Sequence, residues 1–257
     1  MKKFFFIAAV TTVLSCQQKI NDSASNSDLL KQNLKGHIQH YEEIGFRADS
    51  AGKSGMQDSL VLMYGFDNKG YQTRFQSLYP NGHVKDEQTI DHYPNGAAKE
   101  VVNKTLGKQT FRMEILLDKD GRYNTAKAYD STNQLTSYYK EITQNEYGEV
   151  LSGNQYHTDN SLQASFSTTY DKANYTGNTN KDSTGNIKYS VKATLNDKGE
   201  PVELVTTTYK KDGTITNEKV KYRYDTYDAN GNWTQRTTLD DKDKPVKVTK
   251  RIYAYYK

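Results

Sequence analysis

The stretch Tyr224-Asp225-Thr226-Tyr227-Asp228-Ala229-Asn230-Gly231-Asn232-Trp233 reads as the end of one β-strand, a tight turn and the start of the next. Aromatic residues close the first strand, Asp228 opens the turn, Gly231 closes it, and Trp233 begins the second strand. A type I turn favours Asp or Asn at its first position, and the hairpin built on it closes with a left-handed residue. Glycine takes that conformation without steric cost, and asparagine is the next best choice. Weaker copies of the phrase run back along the chain: Asp67-Asn68-Lys69-Gly70, Tyr79-Pro80-Asn81-Gly82, Tyr93-Pro94-Asn95-Gly96, Asp118-Lys119-Asp120-Gly121, Asn196-Asp197-Lys198-Gly199 and Lys210-Lys211-Asp212-Gly213. Gly148 and Gly185 fill two further slots, and Asn133, Asn160 and Asn174 stand where glycine is expected. The pitch is roughly 11–15 residues, with a longer step before Gly231.

Between turns the side chains alternate with a period of two. Leu162, Ala164, Phe166, Thr168 and Tyr170 interleave with polar residues, as do Ile187, Tyr189, Val191, Ala193 and Leu195, and Val220, Tyr222 and Tyr224. Such alternation marks half-buried strands, and tight turns between them force antiparallel neighbours. The chain is therefore expected to be all-β: an antiparallel meander of repeated β-hairpins, about a dozen strands long.

Composition bears on how that sheet closes. Only 34% of the 257 residues are hydrophobic, against roughly 45–50% in an average globular protein, yet 21 are tyrosine. Tyrosine packs its ring and keeps its hydroxyl wet, which suits a pleated surface with one modest apolar face. One large curved sheet or open barrel is expected in preference to a compact sandwich. The net charge of +4 comes without a basic run, so nucleic acid is not an expected partner.

The N-terminus reads as an address. Lys2 and Lys3 precede an apolar run from Phe4 to Val13, which has signal-peptide length and is too short to span a membrane as a helix. Val13-Leu14-Ser15-Cys16 resembles the lipobox of bacterial lipoproteins, and Cys16 is the one cysteine of the chain. The resemblance implies a signal peptide over residues 1–15, cleavage before Cys16 and acylation of that residue. The membrane then becomes a partner through the lipid anchor, in the cell envelope and on the outer membrane. Residues 16–34 are assigned to the lipidated cysteine and a flexible tether, with one or two helical turns over residues 28–34 and Asp28 as N-cap; residues 35–257 form the repeat domain. Residues 48–58 read as a loop.

The phrase Tyr227-Asp228-Ala229-Asn230-Gly231-Asn232-Trp233-Thr234, with Arg236, resembles the YD-repeat (RHS-like) family. Tyr79-Pro80-Asn81-Gly82 and Tyr93-Pro94-Asn95-Gly96 resemble MORN-type repeats. These likenesses imply hairpin architecture and no particular activity.

Chemistry-bearing clusters are sparse. His37 and His40 would face opposite sides of a strand, His83, His92 and His157 are scattered, and no cysteine ligand remains, so no metal and no cofactor is expected. The acids occupy turn positions that local backbone chemistry explains, and neither a nucleophile elbow nor a P-loop is present, so the expectation is a non-enzyme. The glycines Gly70, Gly82, Gly96, Gly121, Gly199, Gly213 and Gly231 are structural turn positions. Tyr222, Tyr224, Trp233, Tyr253 and Tyr255 are the candidate binding residues, through rings exposed on a wet face. The expected role is a scaffold or binding surface, with a glycan, a peptide or an envelope protein as partner; the alternative is a small immunity or antitoxin-like protein.

Overall fold

A computed structural model describes residues 27–49 and 51–257. The signal segment, Cys16 and the tether up to residue 26 lie outside the described residues. One short helix, α1 (Asp28–Lys31), precedes sixteen described strands. The first eight are β1 (Ile38–Ala48), β2 (Ser54–Phe66), β3 (Gln72–Leu78), β4 (Val84–His92), β5 (Ala98–Thr105), β6 (Lys108–Leu117), β7 (Tyr123–Tyr129) and β8 (Leu135–Gln144). The second eight are β9 (Val150–His157), β10 (Leu162–Asp171), β11 (Asn174–Asp182), β12 (Ile187–Leu195), β13 (Pro201–Tyr209), β14 (Ile215–Tyr227), β15 (Trp233–Leu239) and β16 (Pro245–Tyr255).

Each strand pairs antiparallel with its chain neighbours, as the turns require, and β1 also pairs with β16, so the barrel is closed. This corrects the expectation of a curved sheet or open barrel. The reason is the seam itself. Two eleven-residue strands at opposite ends of the chain meet in register, Tyr41 opposite Tyr253 and Glu43 opposite Arg251. Closure leaves neither strand with an unpaired edge. Two local expectations also change. Residues 54–58, read as loop, begin β2, and α1 is capped by Ser27, whose Oγ accepts from the Leu30 N–H at 3.4 Å. The Asp28 carboxylate instead accepts the Gln72 N–H at 2.7 Å.

The repeated turns share one mechanism. Gly231 N–H donates to the Asp228 carbonyl and Asp228 N–H to the Asn232 carbonyl, while Asp228 Oδ1 accepts from Asn230 N–H and Asn232 N–H. Asp67, Asp118 and Asn196 do the same in their turns. Where the first position is not Asp or Asn, the third supplies the acceptor: Asn81 takes the His83 N–H and Asp212 the Thr214 N–H. All seven predicted turn glycines have φ between +78° and +84°, and Asn133 and Asn160 take positive φ as substitutes. Asn174 does not. It opens β11, and Lys172 carries the positive φ in a two-residue turn.

In a meander, alternate turns lie at the same end of the barrel. One rim holds the turns at 67–70, 93–96, 118–121, 145–148, 196–199 and 228–231, and residues 27–37 pack across it. Leu29 N–H donates to the Gly70 carbonyl, Asn33 Nδ2 to the Lys198 carbonyl, and Lys35 N–H to Asn232 Oδ1. Leu29 and Leu34 are buried with Ile38, Tyr41 and Phe66. Residues 28–34, assigned from sequence to the tether, are thus the seal of this rim. The opposite rim carries the turns at 49–53, 79–82, 130–133, 182–185, 210–213 and 240–243.

Strand alternation divides the wall. Ile90, Val101, Met113 and Ala128 follow one another across β4–β7 and face inward, with Ile115, Ala126 and Tyr139 beside them. The intervening positions face outward and are charged: Arg112 bridges Glu100 at 3.0 Å and also meets Glu114, Arg74 pairs with Glu87, and Lys219 pairs with Glu203 at 2.6 Å.

Candidate functional site

The inward face changes character around the seam. Register carries the sequence Tyr64, Tyr41, Tyr253 across β2, β1 and β16, and Leu62, Glu43, Arg251 one level up. The next level joins Gly45, Thr249, Arg236 and Tyr224 across β1, β16, β15 and β14. A bulge where β14 meets β15 turns Trp233 to the same side. The outcome is a lumen wall built of aromatic rings and two arginines.

Arg251 is the ion-paired one of the two arginines. Its Nε and Nη2 donate to Glu43 Oε1 at 2.8 and 2.6 Å, and its guanidinium stacks 3.8 Å from the Trp233 ring centroid and 4.6 Å from that of Tyr41. Burial works against its charge, but Tyr41, Glu43 and Tyr253 around it outweigh that and hold its pKa above the ordinary arginine value. The phenols respond in the opposite sense: burial pushes Tyr253 up to about 12 and Tyr41 well above its usual value, with Arg251 opposing the rise in both. Both rings stay neutral at physiological pH. Tyr41 stacks on Tyr64 with centroids 4.5 Å apart.

Arg236 also approaches the indole. Its guanidinium sits 4.7 Å from Trp233, 4.3 Å from Tyr222 and 5.9 Å from Tyr224. Trp233 thus contacts two cations, and the negative π-face of the ring offsets part of their desolvation. Above Arg236 a cavity of about 260 Å³ opens, walled by Glu43, Leu60, Leu62, Tyr222, Thr238 and Thr249, with Lys247 and Gly45 at its upper edge. Lys247 bonds Asp58 at 2.7 Å across Gly45, where a Cβ would fall 2.2 Å from Asp58 Oδ2.

The five aromatic residues selected from sequence are gathered here, but not as an exposed stripe. Trp233 is 6% exposed, and Tyr222, Tyr224, Tyr253 and Tyr255 are half-buried. Closure is the reason: a face that would be open on a curved sheet becomes the lumen. Tyr224 and Tyr253 direct their hydroxyls to the carbonyls of Pro201 and Trp233 at 2.9 Å. Tyr255 sits at the sealed rim, bonded to Asp228 and accepting from Asn232 Nδ2. Sequence reasoning missed Glu43, Arg236 and Arg251 as a group. The signal was present in their parity: Arg251 alternates in step with Tyr253 and Tyr255, and Glu43 with Tyr41, so charges occupy positions that a strand pattern assigns to the apolar side.

A second polar cluster lies under the seal. Lys31, 6% exposed at its side chain, stands 3.8 Å from Asp28 and 3.9 Å from Glu149, and His92 Nε2 is 3.9 Å from Asp28. Burial pushes the Glu149 carboxyl up to about 7, Lys31 pulling it down and Asp28 adding to the rise. Burial also lowers His92, against the pull of Asp28 and Asp67.

This geometry defines a closed sixteen-stranded meander barrel whose interior is apolar across β4–β7 and carries charged and aromatic side chains at the seam. No family model matches the chain, and no curated protein matches it. Among solved structures it is similar to a porin-like protein from Bacteroides uniformis ATCC 8492, with a TM-score of 0.53 and 10% identity over 84% of this chain and 98% of that one. A porin-like protein from Bacteroides vulgatus ATCC 8482 matches with a TM-score of 0.45 and 9% identity, over 86% and 99% of the two chains. The Tc holotoxin pore of Photorhabdus luminescens matches at 0.33 and 10% identity, over 83% of this chain and 11% of that one. At 10% identity the likeness to the Bacteroides uniformis protein is one of fold.

Proposed function

We propose that the protein is a non-catalytic, lipid-anchored barrel of the cell envelope, held at the outer membrane by Cys16 and acting as a scaffold or binding protein. The observation that carries this reading is the outer wall. A membrane-spanning barrel needs an outward apolar band about 25 Å tall, and each arginine or lysine on its lipid face costs about 2–4 kcal/mol near the midplane. Here the outward positions hold Arg74–Glu87, Arg112–Glu100 and Lys219–Glu203 on strands well separated around the wall. Such a wall suits water, so the porin-like neighbours support the barrel while the charges favour a tethered barrel over an inserted one. The lipobox supplies the tether, and several acyl chains together anchor stably. The hairpin phrases support kinship with YD-repeat proteins as the source of the architecture.

Fractionation of cells producing the full chain tests the reading. Wild-type protein is expected with the membranes, and Cys16→Ser protein in the soluble fraction. Retention of the Cys16→Ser variant through an alkaline carbonate wash would overturn the tether and favour an inserted barrel.

A further inference from the structure

Among the described residues that wall the cavity, Arg236 carries a charge that no carboxylate of the protein pairs with. Glu43 is matched by Arg251, and Lys247 by Asp58. Among the described residues no carboxylate lies within 4.0 Å of a side-chain nitrogen of Arg236, and its Nε is buried without a hydrogen-bond partner. Three aromatic faces hold the guanidinium, and apart from a hydrogen bond to the Tyr224 hydroxyl they offer its N–H groups no lone pair, so Nε stays without an acceptor. A buried donor without an acceptor is costly, and a planar guanidinium is matched best by a carboxylate, which can take two parallel bonds.

The space beside that group suits such a ligand. The cavity of about 260 Å³ is smaller than a typical drug-sized pocket, which starts near 300 Å³. Leu60, Leu62 and the Tyr222 ring offer apolar surface on its sides, and Thr238 and Thr249 offer hydroxyls. Strand direction orients it. Tyr41, Tyr64, Trp233 and Tyr253 lie on the sealed-rim side, whereas Gly45, Leu60, Thr238 and Lys247 lie four to six residues further along the same strands towards the opposite rim. The Asp58–Lys247 pair crosses that upper edge. We infer that the lumen binds a small organic monocarboxylate with an apolar or ring body, its carboxylate on Arg236 and its body between Tyr222 and the two leucines. The single uncompensated positive charge selects a monoanion over a dianion. The inference deepens the binding reading above, on which it rests, and is independent of the lipid anchor.

Trp233 is the one tryptophan of the chain and lies 4.7 Å from the Arg236 guanidinium, so its emission reports on the site. Full-length protein in detergent would be titrated with benzoate, with benzamide as a neutral shape-matched probe and with inorganic sulfate. The expected result is a saturable emission change with benzoate, with a Kd on the order of 1 mM or tighter, and at least about tenfold weaker binding of benzamide, the ratio that one charge-assisted bond of about 1.5 kcal/mol supplies. Arg236→Gln is expected to lose that preference, and Arg236→Lys, which keeps the charge without the fork, to retain part of it. Equal response to benzoate and benzamide, or none to either, would overturn the proposal using wild-type protein alone. A sulfate response equal to that of benzoate would replace it with a bare-anion site. Loss of the benzoate response with intact Cys16-dependent membrane attachment would remove the lumen site and leave the tethered-barrel reading in place.

Discussion

The turns at the two ends of the barrel use the same local chemistry and meet different surroundings. At the sealed rim, a Cβ on Gly96 would fall 2.0 Å from the Tyr71 ring, and one on Gly70 2.9 Å from Ser27. At the opposite rim, a Cβ on Gly82, Gly185 or Gly213 would meet nothing within 4 Å. Glycine at the free rim therefore answers only to the backbone, whose positive φ excludes most side chains. At the sealed rim it answers also to packing. The D-x-x-G and Y-P-N-G phrases are one device for making a corner, and the protein has used the corners of one end as building material for a lid.

The comparison can be broken most decisively with a pair of alanines. Gly96→Ala adds overpacking to left-handed strain and is expected to cost about 3–4 kcal/mol. Gly82→Ala carries the strain alone, at about 1 kcal/mol. Denaturant midpoints of the two variants, read with the slope held constant, measure the difference; equal losses would mean that packing between turns at this rim, here Tyr71 against Gly96, does not load them.

A second test uses pH. Glu149, under the seal, has its carboxyl raised from 4.5 to about 7, chiefly by burial. Between those values the folded barrel holds a proton that the unfolded chain has released, so this group's stabilisation is complete below about pH 4.5 and is lost as pH rises through about 7. The loss is about 2–3 kcal/mol. Lys31, Asp28 and Tyr170 face the carboxyl, and His92 faces Asp28. His92, depressed by burial, works in the opposite sense, because stability from its neutral form is lost as pH falls. Glu149→Gln isolates the carboxylate: thermal melts at pH 5 and pH 8 should differ less in the variant than in wild type. An unchanged difference would place the titration elsewhere.

The smallest expected effect concerns the last residue of the turn phrase. Asn232, 2% exposed, donates from Nδ2 to the Lys35 carbonyl at 2.8 Å and accepts the Lys35 N–H on Oδ1 at 2.8 Å, so its side chain acts as one more backbone pair holding the seal. Asn232→Ala leaves both groups of Lys35 unpaired and should cost about 2 kcal/mol. Its free-rim counterpart, Asn186, bonds only to Thr184 Oγ1 through its amide, and Asn186→Ala should stay within about 0.5 kcal/mol. Chemical denaturation of both variants gives the contrast, and similar losses would deny Asn232 its role.

How much of this was legible follows from how far each interaction reaches along the chain. The acid-to-amide bonds of Asp228 span two and four residues, and strand alternation spans two, so the hairpins, their antiparallel order and the placing of Gly231 are written in local sequence. Tyr222 shares a face with Tyr224, and Tyr253 with Tyr255, for the same reason, whereas Trp233 joins them through a bulge. Closure is not local. Arg251 meets Glu43 across 208 positions and Asn232 meets Lys35 across 197, and no short pattern distinguishes strands that find each other from strands left as edges. Which face became the lumen, which rim was sealed, and which arginine kept an unmatched charge were decided by that seam, because register between distant strands fixes neighbours that neither strand specifies alone. The tryptophan of the turn phrase illustrates the division: local rules made Trp233 the start of a strand, and closure set it against both Arg236 and Arg251.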